Sequence, residues 1–310
     1  MAHEISYAEI VICLFDGDYK LGVAALANSL VKSQFKGLIN VGYRGDLPFW
    51  VEQLESIEND SFLLAKEIVI KFEKVYTEMH LGYYKPYFIK QTMDEYTATQ
   101  KFYFFDADII VYAPWTLYSK WLEKGVCLCL DNAFHFLHYN HPWRKDWRSL
   151  DKSPEKQFND TNYYFNSGFI GLERESISLI DKWIYFTEIY IQMGGNINVF
   201  VKDAYSSFKG DQDLLNAAIT TSNGIEISIV GKEGMGFTQP ATIMMHAIGD
   251  NKPWNTRFFN QLIKSGHKPN KAEQTFFYFC KSPINIFSPF TYKMKKIDLL
   301  SASVLGRFIG

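Results

Sequence analysis

Two carboxylates one residue apart, Asp106 and Asp108, interrupt the apolar run KFYFFDADIIVY of residues 101–112. On a strand, side chains two apart share one face, so at a strand's C-terminal end both acids would reach the crevice where open α/β sheets bind ligands. Such a pair suits a hard divalent cation. A solvated turn is the plainer reading, but turns seldom sit between YFF and IIVY, and an unpaired buried carboxylate is costly. His246 ends a second apolar run, ATIMMH, and is followed by Ala-Ile-Gly-Asp-Asn-Lys-Pro-Trp. A lone histidine after a buried strand is usually a satisfied core or loop residue. Here Gly249 permits close backbone approach and Lys252 is a compact cation suited to a phosphate. Two carboxylates with an imidazole suit Mn²⁺ somewhat better than Mg²⁺.

These groups need a scaffold, and the flanking sequence describes one. Residues 7–15 (YAEIVICLF) read as a strand, Asp16-Gly17-Asp18 as a turn, and LGVAALANSLVKS as a helix. Further strands are expected at residues 38–43, ending at Gly45-Asp46, and at 67–72, before a loop holding Gly82 and Pro86. Residues 87–96 read as a helix. After the run that carries the acids, residues 128–130 lead into Asp131 and an aromatic, His-rich stretch to about Tyr163 whose lack of periodicity predicts a loop or flap. A strand at 165–172 and helices at 177–192 and 211–219 follow, the last with acids in its first turn, the favourable end for negative charge. This alternation predicts an α/β fold with a mainly parallel sheet covered by helices.

Composition bounds the rest. A chain of 310 residues that is 47% hydrophobic can bury a large core, and 32 basic against 34 acidic residues leave no field to hold nucleic acid. Cys13, Cys127, Cys129 and Cys280 form no C-x-x-C pair and read as reduced core thiols, with Cys127 and Cys129 on one strand face. Glu4, Glu9 and Asp16 break any early export signal, and no run reaches the ~20 apolar residues of a spanning helix, so a cytoplasmic protein is expected. His135, His138 and His141 lie among Trp143, Arg144 and Trp147 and fit a sugar-facing or interfacial loop better than a zinc site. The tail, with Lys293, Lys295, Lys296 and Arg307, is expected to cover the core, with peripheral membrane contact as the sharper alternative.

The motifs FFDADIIVY, YYFNSGFIGL, GDQDLLN and MHAIGDNKPW, in that order, resemble the glycogenin-like, bacterial lipopolysaccharide-type retaining glycosyltransferases of family 8 over residues 10 to about 254. The resemblance implies the GT-A nucleotide-diphospho-sugar transferase fold, a Rossmann-like mixed sheet flanked by helices. It implies Asp106, Asp108 and His246 as ligands of Mn²⁺ or Mg²⁺, with Ala107 beside the donor. It implies Lys252 and Gly249 at the donor diphosphate, and Asp16, Asp18 and Tyr19 at base and ribose, which makes a UDP-sugar the expected donor. Asp131, Asn166, Ser167 and Gly168 would hold donor sugar hydroxyls and Lys85 would lie near the donor. Asp211 and Gln212 would face the anomeric carbon, and Asp213 would orient the acceptor. Asp18 stands where Asn is common, and residues 131–163 follow no family pattern, so the acceptor (glycan, lipid-linked saccharide or protein) stays open.

The expected domains are 1–255, catalytic, and 256–310, an aromatic and basic extension. A retaining hexosyl transfer is favoured over inversion, which would need a base opposite the leaving group. A D-x-D phosphohydrolase of the haloacid dehalogenase kind is less favoured, because Ile109-Ile110 replace the small residue and Thr or Val that normally follow its motif. A binding protein without catalysis fits poorly with intact Asp106, Asp108, Asp211 and His246.

Overall fold

A computed structural model describes residues 7–152, 158–199, 207–240 and 243–308. Residues 153–157 of the expected flap and Ala241-Thr242 of the ATIMMH run lie outside the described residues. The central strand β1 (Glu9–Asp16) is an almost unbroken apolar run because it is covered on both faces. Val11, Cys13 and Phe15 point into one core, and Ile10, Ile12 and Leu14 into the other.

Among the described residues nine strands form the main sheet. β1 pairs in parallel with β2 (Gly37–Arg44) on one side and with β6 (Lys101–Phe105) on the other. Beyond β2 lie β5 (Ile68–Lys74), in parallel, and then an antiparallel extension of β4 (Ser61–Ala65) and β3 (Glu55–Glu58). Beyond β6 come β9 (Phe169–Glu173), antiparallel, then β8 (Val126–Cys129) and β10 (Ile227–Val230). A separate two-stranded ribbon pairs β7 (Ile109–Val111) with β11 (Met244–His246). Helices α1 (Lys20–Lys32) and α3 (Trp115–Leu122) cover one face; α2 (Leu81–Glu95), α5 (Ile177–Gln192) and α6 (Asp211–Thr221) cover the other. The expected α/β class and helix-flanked, mostly parallel sheet are therefore present.

Several local expectations need correction. Residues 101–112 are two strands in different sheets, and Asp106 and Asp108 sit in the turn between them, closed by the Ile109 N–H donating to the Asp106 carbonyl at 3.0 Å. The stretch with Gly82 and Pro86 is helical, since α2 starts at Leu81, capped by the His80 ring accepting from the Gly82 N–H at 3.1 Å. Pro86 removes only one ladder hydrogen bond, near the start of a long helix whose buried residues hold it to the sheet. The aromatic stretch after Asp131 contains α4 (Pro142–Leu150), whose fully buried Arg144 donates to the carbonyl oxygens of Leu137 and Tyr163. Its polar composition hid the helix, because Arg144 and Trp147 are its only buried residues. The strand expected at 165–172 is displaced to Phe169–Glu173, and the residues leading into Asp131 follow a strand at Val126–Cys129.

The last segment folds as α7 (Phe258–Ser265), α8 (Lys271–Tyr278) and α9 (Pro289–Leu305), and its apolar residues join the core beneath α1. Asn28 of α1, 1% exposed, donates to the carbonyls of Phe279 and Ile284 at 2.7 and 2.9 Å and accepts from the Ile284 N–H at 2.9 Å. All four cysteines are buried and free, and Cys127 and Cys129 enter the same core, as their spacing predicts. No helix among the described residues is long and apolar enough to cross a membrane.

One close approach sets where the acidic turn lies. A Cβ on Gly22 of α1 would stand 2.0 Å from the Ala107 carbonyl oxygen and 2.9 Å from the Trp254 ring, so helix and turn meet only because position 22 has no side chain. Gly22→Ala should cost about 2–3 kcal/mol of stability, in the range of overpacked core sites. An unchanged unfolding midpoint in denaturant would contradict this packing.

Candidate active site

Sheet topology gathers the chemistry. β1 and β6 are parallel neighbours, so Asp16 and Asp106 leave the sheet at the same edge, the crevice position of open α/β sheets. Because β9 runs antiparallel to β6, with Phe105 opposite Phe169, its leading residues Asn166, Ser167 and Gly168 arrive beside Asp106, whose N–H donates to the Gly168 carbonyl at 2.7 Å. The ribbon pairs Ile109 with His246, and the Ala247 N–H donates to the Asp108 carbonyl at 3.0 Å. The imidazole and the acids are thus brought together by backbone pairing.

Asp106, Asp108 and His246 can each offer one ligand atom with all three within 4.8 Å of one another. His246 Nε2 lies 3.2 Å from Asp108 Oδ1, while its buried Nδ1 has no hydrogen-bond partner among the described residues. A Cβ on Gly168 would stand 2.6 Å from the imidazole and 3.0 Å from Asp106 Oδ2, so only glycine lets these groups converge. Two carboxylates, an imidazole with an orphaned nitrogen, and room beside them fit a hard or borderline divalent ion.

Lysines partner the acids. Lys85 of α2, 6% exposed, lies 2.9 Å from both Asp106 Oδ1 and Asp211 Oδ2 and donates to the Ser167 carbonyl at 3.3 Å. Lys252 donates to Asp108 Oδ2 at 2.6 Å and to the Ala247 carbonyl at 2.9 Å. Burial favours the neutral form of Lys85, but the adjacent Asp106 and Asp211 outweigh it and raise its pKa. Burial likewise opposes the charge on Asp108, yet His246 and Lys252 hold its carboxyl well below the usual range. Asp106 moves the other way, pushed up by burial and by the Asp108 charge against the pull of Lys85. The three carboxylates and two ammonium groups by themselves sum to one unit of negative charge. A divalent cation would make it one unit positive, the sign that receives a diphosphate.

A cleft of about 530 Å³ opens over this cluster and is lined by Asp16, Tyr19, Lys85, Asp106, Ala107, Asp108, Asn166, Ser167, Gly168, Asp211, Gln212, His246, Gly249 and Lys252. Gly249 is required there for its φ of +99°, since a Cβ would meet nothing. Ser167 Oγ donates to Asp211 Oδ2 at 2.8 Å, and Gln212 Oε1 accepts from the Asn166 side chain at 3.1 Å. Asp18, Asp131 and Asp213 lie outside the lining. Asp18 is exposed near Asn255, and Asp131 braces Asn166 from behind, accepting from its Nδ2 at 3.2 Å. Asp213 is buried and accepts from the Tyr164 hydroxyl at 2.6 Å and the Lys209 N–H at 2.5 Å.

The cleft also holds residues that sequence reasoning missed: Leu14, Phe15, His80, Leu81, Gly82, Ile248 and Asp250. Only His80 carried a signal, as a ring acceptor two residues before Gly82 at a helix start. Asp16 is engaged by Arg44, its parallel-strand partner, at 2.5 Å, a pairing that only the register reveals. His135, His138 and His141 form no metal-competent group among the described residues; the rings of His138 and His141 accept instead from the Asn140 and Trp143 N–H groups.

No protein-family profile matches the chain, and no curated protein sequence matches it. Among solved structures it is similar to the bifunctional glycosyltransferase WbbM, at 15% identity and a TM-score of 0.55 over 96% of this chain and 52% of that one. It is similar to the galactosyltransferase LgtC, solved with donor and acceptor sugar analogues, at 14% identity and a TM-score of 0.52 over 92% of this chain and 99% of LgtC. The glycosyltransferase GlyE of Streptococcus pneumoniae aligns at 15% identity and a TM-score of 0.52 over 97% of this chain and 64% of its own. The chain thus spans about half the length of WbbM. Its fold is the one these glycosyltransferases share.

Two measurements test the site. Mn²⁺ at a hundredfold its dissociation constant should add about 2.7 kcal/mol of stability, and Asp108→Asn should remove that gain; equal stabilisation of both proteins would place the ion elsewhere. Asp213 has its pKa raised from 3.8 to about 6, chiefly by burial, against the hydrogen bonds from Tyr164 and Lys209. A carboxyl whose folded pKa is raised contributes stability that is present below its unfolded pKa and lost as pH rises through the folded one. The stability of the native chain minus that of Asp213→Asn should therefore fall by about 2 kcal/mol between pH 4 and pH 7. A flat difference in urea melts would show Asp213 to be ionised throughout.

Proposed function

We propose that this chain is a metal-dependent glycosyltransferase of the GT-A type, within the glycogenin-like family 8, that moves a hexose from a UDP-sugar to an acceptor hydroxyl with retention. The observation that carries the reading is the convergence of Asp106, Asp108 and His246 within 4.8 Å, in a cleft shared with Lys85, Lys252 and Asp211. The fold of known glycosyltransferases supports it, and LgtC in particular was solved with sugar analogues.

In this reading Asp106, Asp108 and His246 hold Mn²⁺ or Mg²⁺, which supplies Lewis-acid neutralisation of charge on the departing diphosphate. Lys252, now on Asp108, is the residue to meet a diphosphate oxygen as negative charge grows there. Asp16 and Tyr19 form the nucleoside end of the cleft, with Tyr19 packed edge-on to Trp254 at 5.3 Å. Asn166, Ser167 and Gly168 offer donors to the sugar hydroxyls, with Asp131 orienting Asn166 from behind. Asp211 shares one oxygen between Lys85 and Ser167, which lowers its nucleophilicity, and Gln212 carries no charge. Both facts favour a short-lived oxocarbenium ion pair over a covalent glycosyl intermediate, the departing phosphate taking the acceptor proton.

A panel of UDP-sugars with Mn²⁺, read by UDP release, tests the proposal. One sugar should turn over, a chelator should stop it, and Asp108→Asn should lower the rate by about 10³-fold, the scale of several kcal/mol of charge stabilisation. Phosphate release from simple phosphate esters in place of UDP-sugar turnover would replace this reading with a phosphohydrolase, and an inverted anomeric product would overturn retention.

A further inference from the structure

Helix α9 is apolar along two opposite stripes. One stripe, with Leu299 and Ala302 fully inside, packs on the core, and Lys295 on that side donates to the Trp254 carbonyl at 2.7 Å. The other repeats at helical spacing, Phe290, Met294, Ile297, Val304 and then Phe308 just past the helix, broken only by the half-buried Ser301, and its apolar members face solvent. Phe290 is 74% exposed, Ile297 48% and Phe308 80%, too much large apolar surface in one line for a water-facing helix.

The flank of this stripe is basic. Lys281, Lys293 and Lys296 border a groove of about 460 Å³ whose apolar wall includes Phe287, Ile297 and Leu300, so the stripe and the groove meet at Ile297. Lys281 and Lys296 both lean on the Tyr292 ring, at 4.2 and 5.9 Å, which holds their charges on one side of the helix. None of the three lysines is paired with a carboxylate among the described residues. The single acid of the helix, Asp298, turns to the opposite flank, where it accepts from the N–H groups of Phe258 and Phe259 at 2.7 and 3.1 Å and so caps α7.

We propose that this face of α9 is an interfacial helix that lies on an anionic lipid surface, the Phe290–Phe308 stripe entering the headgroup boundary and Lys281, Lys293 and Lys296 meeting lipid phosphates. An apolar stripe bordered by cations is what such a surface recognises, because burial of the rings supplies depth and the lysines supply selectivity for negative headgroups. Because Lys295 ties the helix to Trp254, two residues from Lys252 of the cleft, binding would hold the cleft at a set distance from the bilayer. The inference rests on surface chemistry alone and stands whether or not the chain transfers sugar.

The test uses the full chain and vesicles of phosphatidylcholine with and without 30% phosphatidylglycerol, chosen at roughly the anionic content that gives a useful surface potential. The chain should float with the anionic vesicles and remain behind with phosphatidylcholine alone, and binding should weaken as salt rises. Phe290→Ser with Ile297→Ser should reduce binding at least about tenfold. Lys293→Gln with Lys296→Gln should reduce it about thirtyfold, at the usual contribution per basic residue. Both pairs are exposed and should leave unfolding midpoints unchanged. Absence of binding to the anionic vesicles, or binding that neither double variant weakens, overturns the proposal. So does a dimer, seen by light scattering, that Phe290→Ser with Ile297→Ser turns to monomer, because the stripe would then belong to a second copy of the chain.

Discussion

Five charged groups crowded at the floor of one cleft set the terms for everything around them. Asp106, Asp108 and Asp211 share the space with Lys85 and Lys252, all but Asp106 deeply buried, and each charge is tolerable only while its neighbours stay in place. Removing one partner of such a set strands another charge away from water, which costs several kcal/mol. Lys85 is the hinge of the arrangement, because it bonds at once to the turn after β6, to the first residue of α6 and to the backbone of Ser167. The small residual negative charge and a His246 nitrogen with no partner among the described residues are the features left for a cation to complete.

That balance depends on backbone pairings made far from it. An antiparallel strand in a mostly parallel sheet delivers Asn166–Gly168 to Asp106, and a three-residue ribbon delivers His246 to Asp108. Two further contacts around the site are close enough that a methyl group would block them: Gly22 of α1 faces the Ala107 carbonyl, and Gly168 faces the imidazole. The hydrogen-bonded ladders therefore do more than stabilise; they set the spacing on which the electrostatics rest.

The C-terminal helices belong to the same physical unit. Asn28 saturates its amide on the backbone of Phe279 and Ile284, and Lys295 reaches the carbonyl of Trp254, whose ring packs against Tyr19 in the cleft wall. The loop that carries Lys252 is thus tied to α9, and whatever engages the outer face of that helix acts on a bonded neighbour of the cleft.

How much of this could be read from the chain alone follows from the range of each interaction. The apolar run of β1, the helix α1 after its turn, and the acids at the start of α6 are local patterns, written in consecutive residues and legible there. So was the chemistry of Asp106, Asp108 and His246 as residue types, because carboxylates wedged in an apolar run need a partner wherever the chain goes. The helix over Gly82 and Pro86 and the short α4 were illegible, since tertiary burial of Tyr83, Lys85 and Arg144 outweighs what proline and polar residues say locally. The Arg44–Asp16 pair, the bridge from Lys85 to Asp211 and the withdrawal of Asp213 behind Tyr164 needed strand register and helix packing to appear. Sequence determined which groups could bear charge, and only the tertiary structure decided which of them meet, because Coulomb and hydrogen-bond energies depend on separations of a few ångströms that no one-dimensional spacing contains.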